Sequence, residues 1–216
     1  MRFRNREHAA QLLAERLTIY RGKNPLVLGI PRGAVPMAKI IADALGGELD
    51  VVLVHKLGAP GNPELAIGSV DESGKVYLSD LVQELGISEQ YIEQEKHAQL
   101  QTLRKRRSQY TPVRPPLNPS GRIVIVVDNG LATGASMIAA LRAVRAQHPA
   151  KLIAAVAVAP PETVERIRTE ADEVVCLYAP DYFYAVGQFF EDFSQVSDEQ
   201  AIAILRQSCA KAAASA

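Results

Sequence analysis

Apolar residues follow two different spacings along this 216-residue chain, and the two spacings predict strands separated by helices. Short runs of apolar, often β-branched residues at 26–30, 123–127 and 152–158 are typical of strands buried on both faces. Apolar residues three or four positions apart, at 9–17 and 35–45, are typical of helices. This alternation predicts an α/β fold: a doubly wound, mainly parallel sheet with helices on both faces.

The remaining segments fill in this picture. Strands are predicted over 49–54 and 174–178, with a hairpin between 67–70 and 76–78 around the turn 71–74. Further helices are predicted over 80–85, 88–110, 162–171 and 198–213. Sheets of this kind bind ligands at the carboxyl ends of their strands, so the loops that follow the strands are the first place to look for chemistry.

Composition narrows the class of protein. Hydrophobic residues make up 48% of the chain and charged residues 22%, which is typical of a soluble globular protein. The 24 basic residues balance the 24 acidic residues, so no overall charge favours nucleic acid or a membrane surface. The first six residues lack the apolar core of a signal peptide. Cys176 and Cys209 are distant and without metal spacing, which fits free thiols in a reducing cytoplasm, where we expect this protein.

The segment 124–136 carries the most chemical information. A buried strand leads to an acidic residue that can accept hydrogen bonds from sugar hydroxyls, and a loop of small residues then opens a helix whose N–H groups face an anion. This order predicts a sugar-phosphate site; the alternative is an ordinary turn in which Thr133 or Ser136 caps the helix. The candidate ligand-binding residues are Asp128, Asn129, Gly130, Leu131, Ala132, Thr133, Gly134, Ala135 and Ser136.

This segment resembles the motif with which type I phosphoribosyltransferases bind 5-phosphoribosyl 1-pyrophosphate (PRPP): four apolar residues, two acidic residues, then Gly-x-x-Thr-Gly-x-Thr/Ser. The resemblance implies that the loop binds the 5-phosphate and that the acidic pair binds the ribose hydroxyls. Asn129 stands at the second acidic position and brings no negative charge, so we expect weaker catalysis or a shifted metal contact. Ala132 stands where purine-salvage members often carry an acid, so a preference for hypoxanthine or guanine is not supported.

Two upstream loops add cations. Arg32, in Pro-Arg-Gly-Ala after the first strand, is a forked donor suited to phosphate oxygens, and Gly33 frees the backbone; a plain turn with a solvated arginine is the alternative. Lys56 follows the second strand and opens a glycine- and proline-rich segment, 57–66, predicted to be a mobile loop. The resemblance implies that Arg32, Gly33 and Lys56 meet the pyrophosphate and that the mobile loop closes over the site.

Two other segments have competing interpretations. The basic run 104–107 ends a long polar helix and is interpreted as a solvated helix end in preference to a nucleic-acid site. The aromatic segment 180–193 resembles part of the variable hood of the family, where Tyr182 or Phe190 would stack on a base. Packing of the same rings between the last helix and the sheet is the equal alternative.

The resemblance therefore implies one phosphoribosyltransferase-like domain over 1–216, with a core at about 22–180 and a hood from 1–21 and 181–216. Its implied activity is Mg²⁺-dependent transfer of phosphoribosyl from PRPP to a nitrogenous acceptor such as a nucleobase, with release of pyrophosphate. Asp128, Asn129, Lys56 and Arg32 are the implied catalytic residues, with Mg²⁺ contacted indirectly by Asp128. The alternatives are a PRPP-binding regulator and another sugar-phosphate enzyme; a homodimer is left open.

Overall fold

The computed structural model of the protein describes residues 1–214, without the side chains of Glu64 and of residues 210–214. The helices are α1 (Arg6–Arg16), α2 (Val35–Leu45), α3 (Leu81–Glu84), α4 (Glu89–Tyr110), α5 (Ala135–Arg145), α6 (Pro161–Arg168) and α7 (Asp198–Ala214). The strands are β1 (Leu26–Gly29), β2 (Glu48–Val51), β3 (Val54–Ala59), β4 (Asn62–Asp71), β5 (Val76–Leu78), β6 (Ile123–Gly130), β7 (Lys151–Val158) and β8 (Glu173–Tyr178). Short 3₁₀ helices follow α1 and precede α7, at Thr18–Tyr20 and Val186–Phe189.

The larger sheet has five parallel strands in the order β2-β1-β6-β7-β8, which confirms the predicted α/β fold. Its strand order reverses at β1, which pairs with β2 on one side and with β6 on the other. Gly29, the last residue of β1, lies beside Val127 of β6 in the register of this pair. The chain therefore leaves β1 next to the acidic end of β6, at the switch point where such sheets bind ligands.

Both faces of this sheet are covered. Alternate residues such as Val27, Ile125 and Ile153 are buried in one apolar cluster with α1 and α2. The residues between them, such as Val124 and Leu152, are buried in a second cluster with α5 and α6. Burial of both strand faces explains why the strands read as continuous apolar runs and not as alternating ones.

The segment 57–66, predicted as an irregular loop, is a hairpin of β3 and β4 with a tight turn at Pro60 and Gly61, and its closure over the site stays a prediction. Leu57 and Ile67 are fully buried in the cluster that also holds Leu103 of α4, and this burial fixes both strands. β5 completes a three-stranded antiparallel sheet and confirms the hairpin predicted around 71–74.

The N-terminal segment combines two roles. Asn5 caps α1 as predicted, accepting the His8 N–H at 2.9 Å, and α1 buries Leu13 in the main core instead of forming a cover. Its apolar stripe explains this, because such a stripe is stable only against other apolar surface. The residues before α1 do join the C-terminal aromatic segment: the Phe3 N–H donates to the Phe189 carbonyl at 2.7 Å. Within residues 1–214, no helix is long and apolar enough to cross a membrane.

Candidate functional site

The acidic end of β6 lies at the centre of the site. Strand β6 continues to Gly130, so Asp128 and Asn129 are strand residues and not loop residues. The Asp128 carboxylate accepts the backbone N–H of Asn129 at 2.7 Å. Burial raises the pKa of Asp128 to about 7, against the opposing effects of this hydrogen bond and of the positive charge on Arg6. Asp128 is therefore a carboxyl that can change its charge near neutral pH.

The loop over residues 130–134, which joins β6 to α5, is held from behind by helix α6. The Thr163 hydroxyl donates to the Ala132 carbonyl at 2.7 Å, and the Arg166 guanidinium donates to the Thr133 carbonyl at 3.1 Å. These two bonds engage the carbonyl groups of the loop on the α6 side. The loop is thereby fixed before any ligand arrives.

The N–H groups of the same loop remain available. Among the described residues, the backbone N–H groups of Thr133, Gly134 and Ser136 have no acceptor. Gly134 has a φ of 75°, a left-handed conformation that turns the chain into α5 at Ala135. Unpaired N–H groups at the start of a helix form an anion site, and the hydroxyls of Thr133 and Ser136 lie in the same turn.

The turn that follows β1 packs directly on the end of β6. A Cβ atom on Gly33 would lie only 2.4 Å from the Nδ2 atom of Asn129, so a larger residue at position 33 would have to displace the Asn129 amide. The peptide bond between Pro31 and Arg32 is cis. Arg32 forms an ion pair at 3.5 Å with Asp198, in the first turn of α7, and both side chains are about a third exposed, at 34% and 33%. The structure thus brings together Arg32, Gly33 and Asn129, as the order of the strands predicts.

Arg6 is a site residue that the sequence did not indicate. Its Nε atom donates to Asn129 Oδ1 at 3.1 Å, and its Nη1 atom donates to the Ser194 carbonyl at 2.7 Å. Its guanidinium carbon lies 4.0 Å from the centroid of the Phe193 ring. Burial lowers the pKa of Arg6, and the nearby Asp192 and Asp128 act in the opposite direction. Arg6 therefore links the cover of the site to β6, across 123 residues of sequence.

Arg106 is a second residue whose role the sequence did not show. A cavity of about 370 Å³ beside the 31–33 turn is lined by Arg6, Arg32 and Arg106, together with Phe193 and Gln195. We call these three arginine side chains the arginine cluster. Arg106, in the basic run, is half-buried in this cavity, although none of its side-chain nitrogens is buried without a partner.

The other members of the basic run have different environments. Arg107 pairs with Glu72 through two hydrogen bonds of 2.7 and 2.8 Å. Arg104 lines a separate surface cavity with Glu72 and Thr111. Because successive helical residues point about 100° apart, neighbours in the run reach different surroundings.

The two aromatic candidates differ in exposure. Phe190 is only 2% exposed, and its ring centroid lies 5.3 Å from that of Phe3 and 4.8 Å from that of Phe193. Phe190 therefore has a packing role and not the base-stacking role that was one of its two interpretations, because neighbouring rings surround it. Tyr182 is 81% exposed and stays a predicted base-stacking residue.

Lys56 lies on β3, half-buried and opposite Ser69. It is not among the described residues that line the cavity of the arginine cluster. Its role at the pyrophosphate stays a prediction.

Comparisons with known proteins agree with this geometry. The sequence profile of the family described as "Phosphoribosyl transferase domain" matches residues 3–193. Two proteins from the CDC 1551 and H37Rv strains of Mycobacterium tuberculosis, provisionally named phosphoribosyl transferases, are each 40% identical over 204 residues. The match covers 94% of this chain and 46% of those proteins, so the chain spans about half the length of these curated relatives.

A solved structure is similar over the full fold. The crystal structure of TT1426 from Thermus thermophilus is 50% identical in sequence, and the match covers 96% of this chain and 99% of that one, with a TM-score of 0.84. The five-stranded sheet and the segments that build the site therefore have a close counterpart in a solved protein.

Proposed function

Because the chain belongs to the phosphoribosyl transferase domain family, we propose that it transfers a phosphoribosyl group from PRPP to a nitrogenous acceptor of the nucleobase type, releasing pyrophosphate. The observation that carries this proposal is the meeting of two anion-binding turns, 31–33 and 130–134, at the Asp128–Asn129 end of β6. PRPP carries one phosphate and one pyrophosphate, so it needs two such turns. We take the chain to act as one unit, with its core at 22–180.

The reaction is a displacement at the anomeric carbon of the ribose, with a cation-like sugar in the transition state. The protein's contribution is positioning and electrostatics, not covalent chemistry. The N–H groups of Thr133, Gly134 and Ser136 would hold the 5-phosphate, and ionised Asp128 would accept hydrogen bonds from the ribose hydroxyls. Arg32, with Lys56 as a further candidate, would stabilise the negative charge on the leaving pyrophosphate.

The residues present fit a Mg²⁺ ion that arrives with its substrate. Among the described side chains, which exclude that of Glu64, no three His, Cys, Asp or Glu form a metal-binding group, and Asp128 is the carboxylate at the sugar end of the site. Mg²⁺ usually keeps several waters and binds through one or two carboxylates plus substrate phosphates, so a single carboxylate is sufficient. When bound, the ion neutralises part of the pyrophosphate charge. Asp128 would contact it through water.

A second candidate function rests on Asn129. The side-chain oxygen of Asn129 is engaged by Arg6, and the residue adds no negative charge beside a cationic transition state. A PRPP-binding regulator needs the two anion turns but not that charge. A regulator would therefore bind PRPP as the transferase does but would not turn it over.

The deciding experiment is calorimetric titration of the full chain with Mg²⁺ and PRPP, followed by a screen of nucleobases for pyrophosphate release. The transferase predicts saturable binding and base-dependent release. Saturable binding without release for any base supports the regulator. Absence of binding at millimolar PRPP overturns both candidates and leaves a different sugar-phosphate enzyme on this fold.

A further inference from the structure

The arginine cluster contains two cations, Arg6 and Arg106, in addition to Arg32, which the sequence predicts to bind the pyrophosphate. Three elements distant in sequence bring Arg6, Arg32 and Arg106 to one cavity of about 370 Å³. No carboxylate is among the described residues that line it. Like charges are costly to hold together, so a cluster of this kind is most favourable when an anion occupies it.

Each arginine is held differently. Arg6 is fixed by Asn129 and Ser194, at 3.1 and 2.7 Å, and its guanidinium stacks on Phe193 at 4.0 Å. This leaves Arg6 oriented, with the Nη2 atom 3.8 Å from where a Cβ on Gly33 would lie. The anchored part of Arg6 thus faces β6, and Nη2 faces the 31–33 turn.

Arg106 is the least engaged of the three. Among the described residues, the Arg106 side chain makes no hydrogen bond or ion pair, although it is half-buried. No nitrogen of its guanidinium is buried without a partner, so water reaches the group and a bound anion can replace that water. Arg32 has a protein partner, Asp198, but at 3.5 Å their contact is long for a charge-assisted bond.

We propose that the arginine cluster binds the pyrophosphate group of PRPP, with Arg6 and Arg106 adding two cations to the predicted Arg32. This inference rests on the proposed function and extends it to residues that no motif contains. A pyrophosphate offers several anionic oxygens, and three forked guanidinium groups can bind them from different sides. The link from Arg6 to Asn129 places the cluster beside the sugar end of the site, where the leaving group must lie.

Nearby carboxylates compete with a bound anion for the side chains of Arg32 and Arg6. Asp198 holds Arg32, and Asp192 and Asp128 lie close enough to Arg6 to affect it electrostatically. Pyrophosphate must therefore replace Asp198 as the partner of Arg32. Removing the charge of Asp198 should therefore strengthen pyrophosphate binding. This effect is opposite in sign to that of removing an arginine of the cluster.

The test is calorimetry of the full chain with three ligands: Mg²⁺ with PRPP, Mg²⁺ with inorganic pyrophosphate, and ribose 5-phosphate. We expect Arg6→Gln and Arg106→Gln each to weaken PRPP and pyrophosphate binding by about tenfold or more, the loss typical of a hydrogen bond to a charged group. Arg106→Gln should bind ribose 5-phosphate as the wild type does, whereas Arg6→Gln is compared only on the two pyrophosphate ligands because Arg6 also contacts Asn129 at the sugar end. Asp198→Asn should tighten pyrophosphate binding.

Arg104→Gln is the matched control, because it removes a charge from the same basic run but lies at another cavity. It should bind all three ligands unchanged. Melting temperatures of all variants check folding, and Arg106→Gln is the decisive variant because no described side-chain hydrogen bond is lost with it.

The outcomes separate this inference from the proposed function. If wild type binds PRPP and Arg106→Gln binds it equally well, the cluster is overturned while the transferase stands. If wild type does not bind PRPP, the proposed function fails; arginine-dependent binding of pyrophosphate would then still support the cluster, and its absence would overturn both.

Discussion

Ionisation of Asp128 gives the sharpest test of the proposed chemistry. Burial raises the pKa of this carboxyl to about 7, so about a tenth of the free protein is ionised at pH 6 and about nine tenths at pH 8. The ionised form accepts hydrogen bonds from the ribose hydroxyls with both oxygens and attracts Mg²⁺, whereas the protonated form carries no charge and uses one oxygen as a donor. We therefore expect kcat/KM for PRPP to rise about tenfold between these two pH values, since this ratio reports the free enzyme.

The same carboxyl links stability to pH. Its pKa in the folded protein is about 7, above its ordinary value of 3.8, so the folded state keeps this proton to higher pH than the unfolded chain. The stabilising contribution is complete below about pH 4 and is lost as pH rises to 7. The difference between these pKa values corresponds to at most about 4 kcal/mol, and contact of the half-buried carboxylate with water reduces this to about 1–2 kcal/mol.

Asp128→Asn should therefore raise the free energy of unfolding at pH 8 and leave it nearly unchanged at pH 4. Chemical denaturation at both pH values measures this, and ¹³C NMR of aspartate carboxyl carbons gives the titration midpoint, assigned by the missing signal in the variant. Asp192→Asn is the control, because hydrogen bonds from Ser194 lower the pKa of that exposed carboxyl and its removal should not stabilise the protein at pH 8. A midpoint for Asp128 below about pH 5 would refute the reasoning.

Four further predictions rest on individual contacts. Gly33→Ala forces a Cβ to within 2.4 Å of Asn129 Nδ2 and should lower the free energy of unfolding by about 1–3 kcal/mol; adding Asn129→Ala should recover much of this in thermal denaturation. Asn129→Asp supplies the missing charge and should raise turnover in a pyrophosphate-release assay, with unchanged or lower turnover counting against it. Phe190→Ala removes a fully packed ring and should cost about 3–5 kcal/mol by urea denaturation. Tyr182→Ala should leave stability unchanged and raise KM for the acceptor, and an unaltered KM would contradict base stacking there.

Sequence patterns predicted those parts of the fold in which local and tertiary preferences agree. The β6 run is apolar on both faces because the sheet is covered on both faces, and Gly134 occurs where the turn into α5 needs a φ of 75°. The hairpin of β3 and β4 was missed for the opposite reason. Its glycines and prolines suggest a loop, but burial of Leu57 and Ile67 outweighs that local preference.

The site was predictable only as far as it follows strand ends. Arg32 and Asp128 lie after β1 and in β6, and the strand order brings them close. Arg6 and Arg106 lie on helices, and their place in the site depends on how α1 and α4 pack. The charge pattern of the sequence does not reveal these placements; Arg6, for example, contacts Asn129 across 123 residues of sequence.

Arg6 and Asn129 are best understood as one feature. Arg6 faces both Asp128 and Asn129, so the sugar end of the site holds one carboxylate and one guanidinium instead of the family's two acids. An acid at position 129 would pair with Arg6 through a charge-assisted hydrogen bond, so Asn129→Asp should weaken the binding of free pyrophosphate even as its charge favours the cationic sugar and raises turnover. The neutral amide orients Arg6 without adding a further negative charge to those of Asp128 and Asp192. With Asn129, the site lacks a negative charge near the sugar but has a positioned cation, Arg6, beside the pyrophosphate. Substitutions of Arg6 and Asn129 should therefore be strongly non-additive.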